Sequence, residues 1–254
     1  MMKTQTSKMH KKLDEQLGNL KLSYFSEHYD ALAKEAIRKK TGHLEYLQEL
    51  VRGEWDQKHK RSIERRIKAA RFPVIKTIEQ FKWEWPEKID REQVEYLFHL
   101  RFVPECSNVI FLGTVGLGKS HLATALAYKA CLEGYRVLFT NAIDVINTLN
   151  TAQKQGRLKD ELKKYLKPEL IILDELGYLP IDQKGADHLF QVISQRYERG
   201  SIILTTNKAF KDWPSIFNND SVITSAVLDR ILHHSETVLI TGKSYRMKRN
   251  NVTK

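Results

Sequence analysis

Residues 113–120 read GTVGLGKS, a spacing of glycines, lysine and hydroxyl that suits one task, holding a chain of phosphates. Glycines at such positions let the backbone curl until successive N–H groups face inward, and those donors join a following helix N-terminus to receive anionic oxygens. The expected cradle is Gly113, Thr114, Val115, Gly116, Leu117, Gly118, Lys119, Ser120 and His121. Lys119 would reach the β and γ phosphates, and the Ser120 hydroxyl would join the shell of a Mg²⁺ ion. A chance glycine turn would match the pattern in roughly one such chain in a hundred.

A second cluster follows in LIILDE, Leu170 to Glu175, an apolar run ending in two carboxylates. Asp174 is expected to hold Mg²⁺ through water, and Glu175 to orient and polarise an attacking water; the alternative is a pair of acids capping the next segment. In SIILTTN, Asn207 either hydrogen-bonds a γ-phosphate or the lytic water, or is an ordinary strand-end turn residue. Arg230, inside AVLDRILHH, either pairs locally with Asp229 or Glu236 or projects into a neighbouring subunit's site as an arginine finger. His233 and His234 have no companion ligands in the sequence and read as surface or packing residues.

These groups need a rigid frame, and the second half of the chain has the rhythm of one. Strands are expected at Asn108–Leu112, Arg136–Thr140, Leu170–Leu173, Ser201–Thr205 and Thr237–Ile240, alternating with helical patterns. That is an α/β domain with a parallel five-stranded sheet over residues 106–254, preceded by a connector at 73–105 and a small all-helical domain at 1–72. In the helical part, Leu13, Leu17, Leu20 and Tyr24 step by helical intervals, a second helix carries Tyr29 and Leu32, and a third runs from His43 to about Arg71. Leu44, Leu47, Val51 and Trp55 are expected on its inner stripe.

The end of that third helix, KHKRSIERRIKAARFP, sets seven basic side chains against one acidic one. Lys58, Arg61, Arg65 and Lys68 recur at three or four residues and share a face; Lys60, Arg66 and Arg71 complete the set. A nucleotide already has its cradle, so this charge suits a longer anion, and duplex DNA offers one charge per ~1.7 Å. No array of side chains for base readout is evident, so weak sequence preference is expected. The whole chain agrees, with 42 Lys and Arg against 31 Asp and Glu and a net charge of +11, although a solvated cationic surface would give the same count. Two cysteines, Cys106 and Cys131, show no metal-ligand spacing, and no stretch approaches the ~18 apolar residues of a membrane span, so a cytoplasmic protein is expected.

Taken together, GTVGLGKSH, LIILDELGYLP, SIILTTNKAF, AVLDRILHH and GKSYRMK resemble the AAA+ ATPases of the IstB type, ATP-binding helpers of insertion-sequence transposition, and more distantly the DnaC helicase loaders. The resemblance implies an ATPase with ATP and Mg²⁺ as cofactors, ATP-promoted homo-oligomers on duplex DNA, bending of that DNA and hand-over to a partner transposase. It implies Walker A roles for Gly113, Gly118, Lys119 and Ser120, Walker B roles for Asp174 and Glu175, a sensor role for Asn207, and makes Arg230 and Arg246 arginine-finger and second-sensor candidates. Only residues 241–254 follow the last strand, so a C-terminal helical lid is expected to be absent or supplied by a neighbour. Loaders commonly carry a further arginine at the position of Ala226. A DnaC-like loader and a P-loop small-molecule kinase remain the alternative readings.

Overall fold

The computed structural model describes residues 2–245 and divides into two units, one up to Arg65 and one from Arg66 onward. The second unit therefore includes residues 73–105, which contribute Phe81, Val94, Leu97, Leu100, Phe102 and Val103 to its core.

Helices α1 (Met2–Asn19), α2 (Ser23–Lys39) and most of α3 (His43–Ala70) make the first unit. The helical stripe expected to run from Leu13 to Tyr24 is interrupted: Lys21 adopts a left-handed φ of 56°, Leu22 N–H closes onto Leu17 O, and Leu20 is exposed. Gly18 and Asn19, both poor helix formers, precede the break. A second expectation is also corrected. Leu44 and Trp55 are 78% and 62% exposed, and Leu47 and Val51 lie outward with them. The face of α3 turned to α2 is the neighbouring one, carrying Tyr46, Gly53, Glu54 and Gln57, and Leu50 is buried.

Polar geometry selects that face. The Glu54 carboxylate accepts from the Tyr24 and Phe25 amides at 2.8 and 3.3 Å, satisfying orphan donors at the start of α2. Tyr46 Oη donates to Tyr29 O at 3.0 Å, and Ser23 Oγ to Gln57 Oε1 at 3.0 Å. Gly53 admits the Tyr24 ring, since a Cβ there would lie 2.0 Å from it.

In the second unit α4 (Arg91–Leu97) precedes β1 (Asn108–Gly113), α5 (Lys119–Leu132), β2 (Val137–Asn141), α6 (Ala142–Lys154), α7 (Leu158–Leu166), β3 (Leu170–Leu176), α8 (Gln183–Arg196), β4 (Ser201–Thr206), α9 (Ser221–Leu232) and β5 (Ser235–Ile240). All five strands pair in parallel, in the order β2-β3-β4-β1-β5. Their bounds agree with the sequence expectation to within two residues, except that β3 runs three residues beyond the expected Leu173, through Asp174 and Glu175 to Leu176.

Buried on both faces, the central strands are near-continuous runs of Val, Ile and Leu. Alternate residues divide between two cores. Val109, Phe111, Leu170, Ile172 and Ile203 pack under α5. Ile110, Ile171, Leu173, Ile202 and Leu204 pack with α6, α8 and α9. At the N-terminal edge of the sheet Arg196 is buried, its guanidinium donating to Tyr165 O, Pro168 O, Glu169 O and Ser201 O at 2.7–2.9 Å. Among the described residues no helix is long and apolar enough to cross a membrane.

Candidate active site

The cradle lies where β1 meets α5, at the C-terminal edge of the sheet, the edge that receives ligands in open α/β folds. Gly116 and Gly118 take φ values of +80° and +89°, which side-chain-bearing residues rarely adopt. A Cβ on Gly118 would also lie 2.6 Å from the Phe81 ring. Gly118, at the N-cap of α5, has no side chain to block the helix start, the end of a helix that suits an anion. Lys119, only 4% exposed, donates from Nζ to Thr114 O at 2.8 Å and sits 6.0 Å from the Tyr178 ring centroid. Leu117 points into the core and Val115 outward.

The acidic pair sits beside it. Ser120 Oγ donates to Asp174 Oδ1 at 2.9 Å, and the buried Thr205 hydroxyl, on the neighbouring β4, also contacts Asp174 Oδ1. The register between β3 and β4 slips between Leu173 and Leu176, and Glu175 occupies left-handed backbone at φ 61°. A non-glycine residue there costs about 1–2 kcal/mol, and the Glu175 amide recovers a bond to Thr205 Oγ1 at 2.9 Å. The bulge thus directs Asp174 to the Ser120 hydroxyl and leaves Glu175 exposed at the mouth. A hydroxyl and a carboxylate are hard oxygen donors, which fits a Mg²⁺ ion sharing its shell with phosphates and water.

Asn207 follows β4, with its Oδ1 buried and lacking a hydrogen-bond partner. That orphan acceptor would receive a hydrogen bond from a bound water. His121 turns from the phosphates: its Nε2 is 2.8 Å from Thr77 O, its ring meets Phe81 edge-on, and burial lowers its pKa. The cleft, about 570 Å³, is walled by Lys76, Gln80, Phe81, Trp85 and Tyr178 beside the cradle.

Sequence reasoning missed several parts of this wall. Trp85 Nε1 donates to Lys243 O at 2.9 Å, and the Tyr245 amide to Gly116 O at 2.9 Å, so segments 81–86 and 243–245 flank the loop. The run FKWEWP was the available signal, since aromatic residues so close together need a surface to cover. Thr205 carried none beyond its place in a strand.

Other expected site residues lie apart. Arg230 does not reach this cradle; its Nη1 donates to Ala226 O at 2.9 Å and its guanidinium stands 5.1 Å from the Phe190 ring centroid. It lines a small cleft with Asn108 and Ile202, at the opposite edge of the sheet. Arg246 lies outside the described residues.

Of the cationic set, Lys58 pairs with Glu54 at 3.4 Å and Arg61 donates to Ser23 Oγ at 2.9 Å, inside the first unit. In the second unit Arg66 Nε donates to Cys131 O at 2.9 Å, and Arg71, past the helix end at φ 59°, lines a groove along β2 that also reaches Asp174 and Glu175. Lys60, Arg65 and Lys68 are exposed.

Comparison with known proteins agrees with this geometry. A protein described as the ATP-binding protein of insertion sequence IS21 from Pseudomonas aeruginosa is 43% identical over 94% of this chain and 90% of its own length. Its counterpart from insertion sequence IS5376 of Geobacillus stearothermophilus is 38% identical over 94% of this chain and 95% of its own. Among solved structures, the DnaC helicase loader covers 65% of this chain and 96% of its own, with a TM-score of 0.53 at 20% identity, a likeness of fold. Residues 15–253 match the IstB-like ATP binding protein family, and the chain belongs to that family, with the P-loop α/β fold of the AAA+ class.

Proposed function

We propose that this protein is a Mg²⁺-dependent ATPase that uses nucleotide occupancy to assemble copies of itself on duplex DNA, remodels that DNA and presents it to a partner transposase. The observation that carries the reading is the bulge at Asp174–Glu175, which places a buried carboxylate against the Ser120 hydroxyl and an exposed one at the mouth of the cradle. A site that only bound phosphate would have no use for the second, strained carboxylate.

Lys119 and the amides at the start of α5 would hold the β and γ phosphates and stabilise charge that develops on them. When bound, Mg²⁺ would neutralise phosphate charge, held by Ser120 directly and Asp174 through water. Glu175 accepts a hydrogen bond from the attacking water and orients it, with Asn207 Oδ1 as a second acceptor. Phe81 and Trp85 would cover the base, excluding water from one side of the cleft.

Arg230 faces away from its own cradle, which suits service to an adjacent copy's γ-phosphate and gives a reason for assembly to be coupled to nucleotide. The exposed Lys60, Arg65 and Lys68 would then repeat along the assembly and neutralise successive backbone phosphates without reading bases. The insertion-sequence relatives support the transposition setting. Glu175→Gln tests the catalytic part: it should bind ATP and duplex as wild type does while turnover falls by about 100-fold or more. Wild-type turnover in that variant would refute the role of Glu175.

A further inference from the structure

The end of α9 carries adjacent histidines, and the fold supplies the companion that the sequence did not show. Glu198, in the turn from α8 to β4, comes beside His233 and His234, and one ligand atom from each of the three lies within 4.8 Å of the others. His234 Nε2 is 3.7 Å from Glu198 Oε1, and the two imidazole centroids are 4.0 Å apart. Glu198 holds left-handed backbone at φ 58°, a conformation to which glycine, asparagine and aspartate are better suited.

We propose that Glu198, His233 and His234 form a transition-metal site that takes Zn²⁺. Two imidazoles and one carboxylate are the donor set of open zinc sites, and such borderline donors discriminate against Mg²⁺ and Ca²⁺, which require oxygen. With metal–ligand bonds of about 2.0–2.1 Å, tetrahedral ligand atoms stand roughly 3.3 Å apart. Exposed side chains reach that spacing by small rotations, and solvent fills the fourth position.

Tyr197 completes the arrangement. Its hydroxyl is 2.6 Å from His233 Nδ1. With the proton on Nδ1, His233 donates to the tyrosine oxygen and presents Nε2 to the metal, the usual way in which a second group orients a ligating histidine. One carboxylate against one divalent ion leaves a net positive centre, and the nearby Arg230 guanidinium is already engaged by Ala226 O and the Phe190 ring.

The site is separate from the nucleotide cleft. It lies at the N-terminal ends of β4 and β5, whereas Ser120 and Asp174 sit at the opposite edge of the sheet. A bound ion would tie the turn after α8 to the last turn of α9, the turn that bears Arg230. Metal occupancy would thereby restrain that arginine, and the binding itself does not depend on the ATPase reading.

The test is a titration of untagged, chelator-stripped, nucleotide-free protein with Zn²⁺ against a chromophoric chelator, at pH 7.5 in excess Mg²⁺. Expected is one Zn²⁺ per chain. Glu198→Gln and His234→Ala should each weaken binding by at least tenfold, and Tyr197→Phe by about tenfold. Asp174→Asn and Cys106→Ser should leave it unchanged, because neither residue belongs to the site. Absence of stoichiometric binding would overturn the proposal. So would wild-type affinity in the Glu198→Gln/His233→Ala/His234→Ala variant, or loss of the ion on Asp174→Asn or Cys106→Ser alone. Circular dichroism of each variant confirms the fold before titration.

Discussion

Removal of one hydroxyl, Thr205→Val, should uncouple nucleotide binding from hydrolysis. Thr205 is fully buried on β4, and its Oγ1 both contacts Asp174 Oδ1 and accepts from the Glu175 amide at 2.9 Å. Valine keeps the shape and removes both bonds. The Asp174 carboxylate loses a partner, and a hydrogen bond to a charged group contributes about 1.5–3 kcal/mol. The Glu175 amide, in left-handed backbone, loses the bond that offsets its strain.

If that energy is expressed in the positions of the two carboxylates during turnover, kcat falls roughly ten- to hundredfold, since each 1.36 kcal/mol is a factor of ten. Nucleotide affinity without Mg²⁺ depends on Lys119 and the loop amides and should change by less than about threefold. Thr205→Ser restores the hydroxyl and should recover most of kcat. Steady-state hydrolysis, alongside equilibrium binding of a fluorescent ATP analogue and a thermal melt, separates these terms. Wild-type kcat in Thr205→Val, or a serine variant as slow as the valine, would show that the Thr205 hydroxyl does not position the two carboxylates for turnover.

Arg196→Met should destabilise the second unit by about 3 kcal/mol or more, because four carbonyls lose a buried donor; urea denaturation would show it, and a change under 1 kcal/mol would contradict it. His188 on α8 is 2% exposed with neither ring nitrogen partnered, and burial lowers its pKa from the ordinary 6.5, against the opposing pull of Asp187 and Asp182. The unfolded chain takes up a proton as pH falls through about 6.5 and the folded one resists, so stability is level above that pH and declines below it. His188→Leu should flatten the decline in urea midpoint between about pH 7 and 5, and an unchanged slope would assign the acid sensitivity elsewhere. Burial pushes the Cys131 thiol up to about 12, so in native protein at pH 8 an aromatic disulfide reagent should modify the half-buried Cys106 well before Cys131, a prediction that prompt titration of both thiols would defeat.

The parts of the fold legible in the sequence are those that local chemistry dictates. Short runs such as LIILDE and SIILTT mark buried parallel strands by composition, and GTVGLGKS defines its loop because few other residues permit that backbone. What escaped depends on contacts between distant segments. The stripe Leu44, Leu47, Val51 and Trp55 has helical spacing, yet periodicity does not say which face finds a partner, and the Glu54 cap on α2 favoured the neighbouring face. The stripe from Leu13 to Tyr24 crosses a turn that spacing alone does not reveal.

At the site, Lys119, Ser120, Asp174 and Glu175 were readable as motifs. Thr205 was invisible because its role comes from a register slip between β3 and β4. Glu198 was likewise silent until the end of α9 was brought beside the turn after α8. Charge counting identified a cationic segment but could not show that Lys58, Arg61 and Arg66 have partners within their own units.

The most direct test of the central claim compares duplex binding by wild type and Lys119→Ala, with and without Mg·ATP, across a salt series. Wild-type binding should be cooperative, tightened by ATP and steeply weakened by salt, with Lys119→Ala losing the ATP-dependent part while keeping a weak, salt-sensitive remainder. Equal affinity and cooperativity in the two proteins under ATP would contradict that claim.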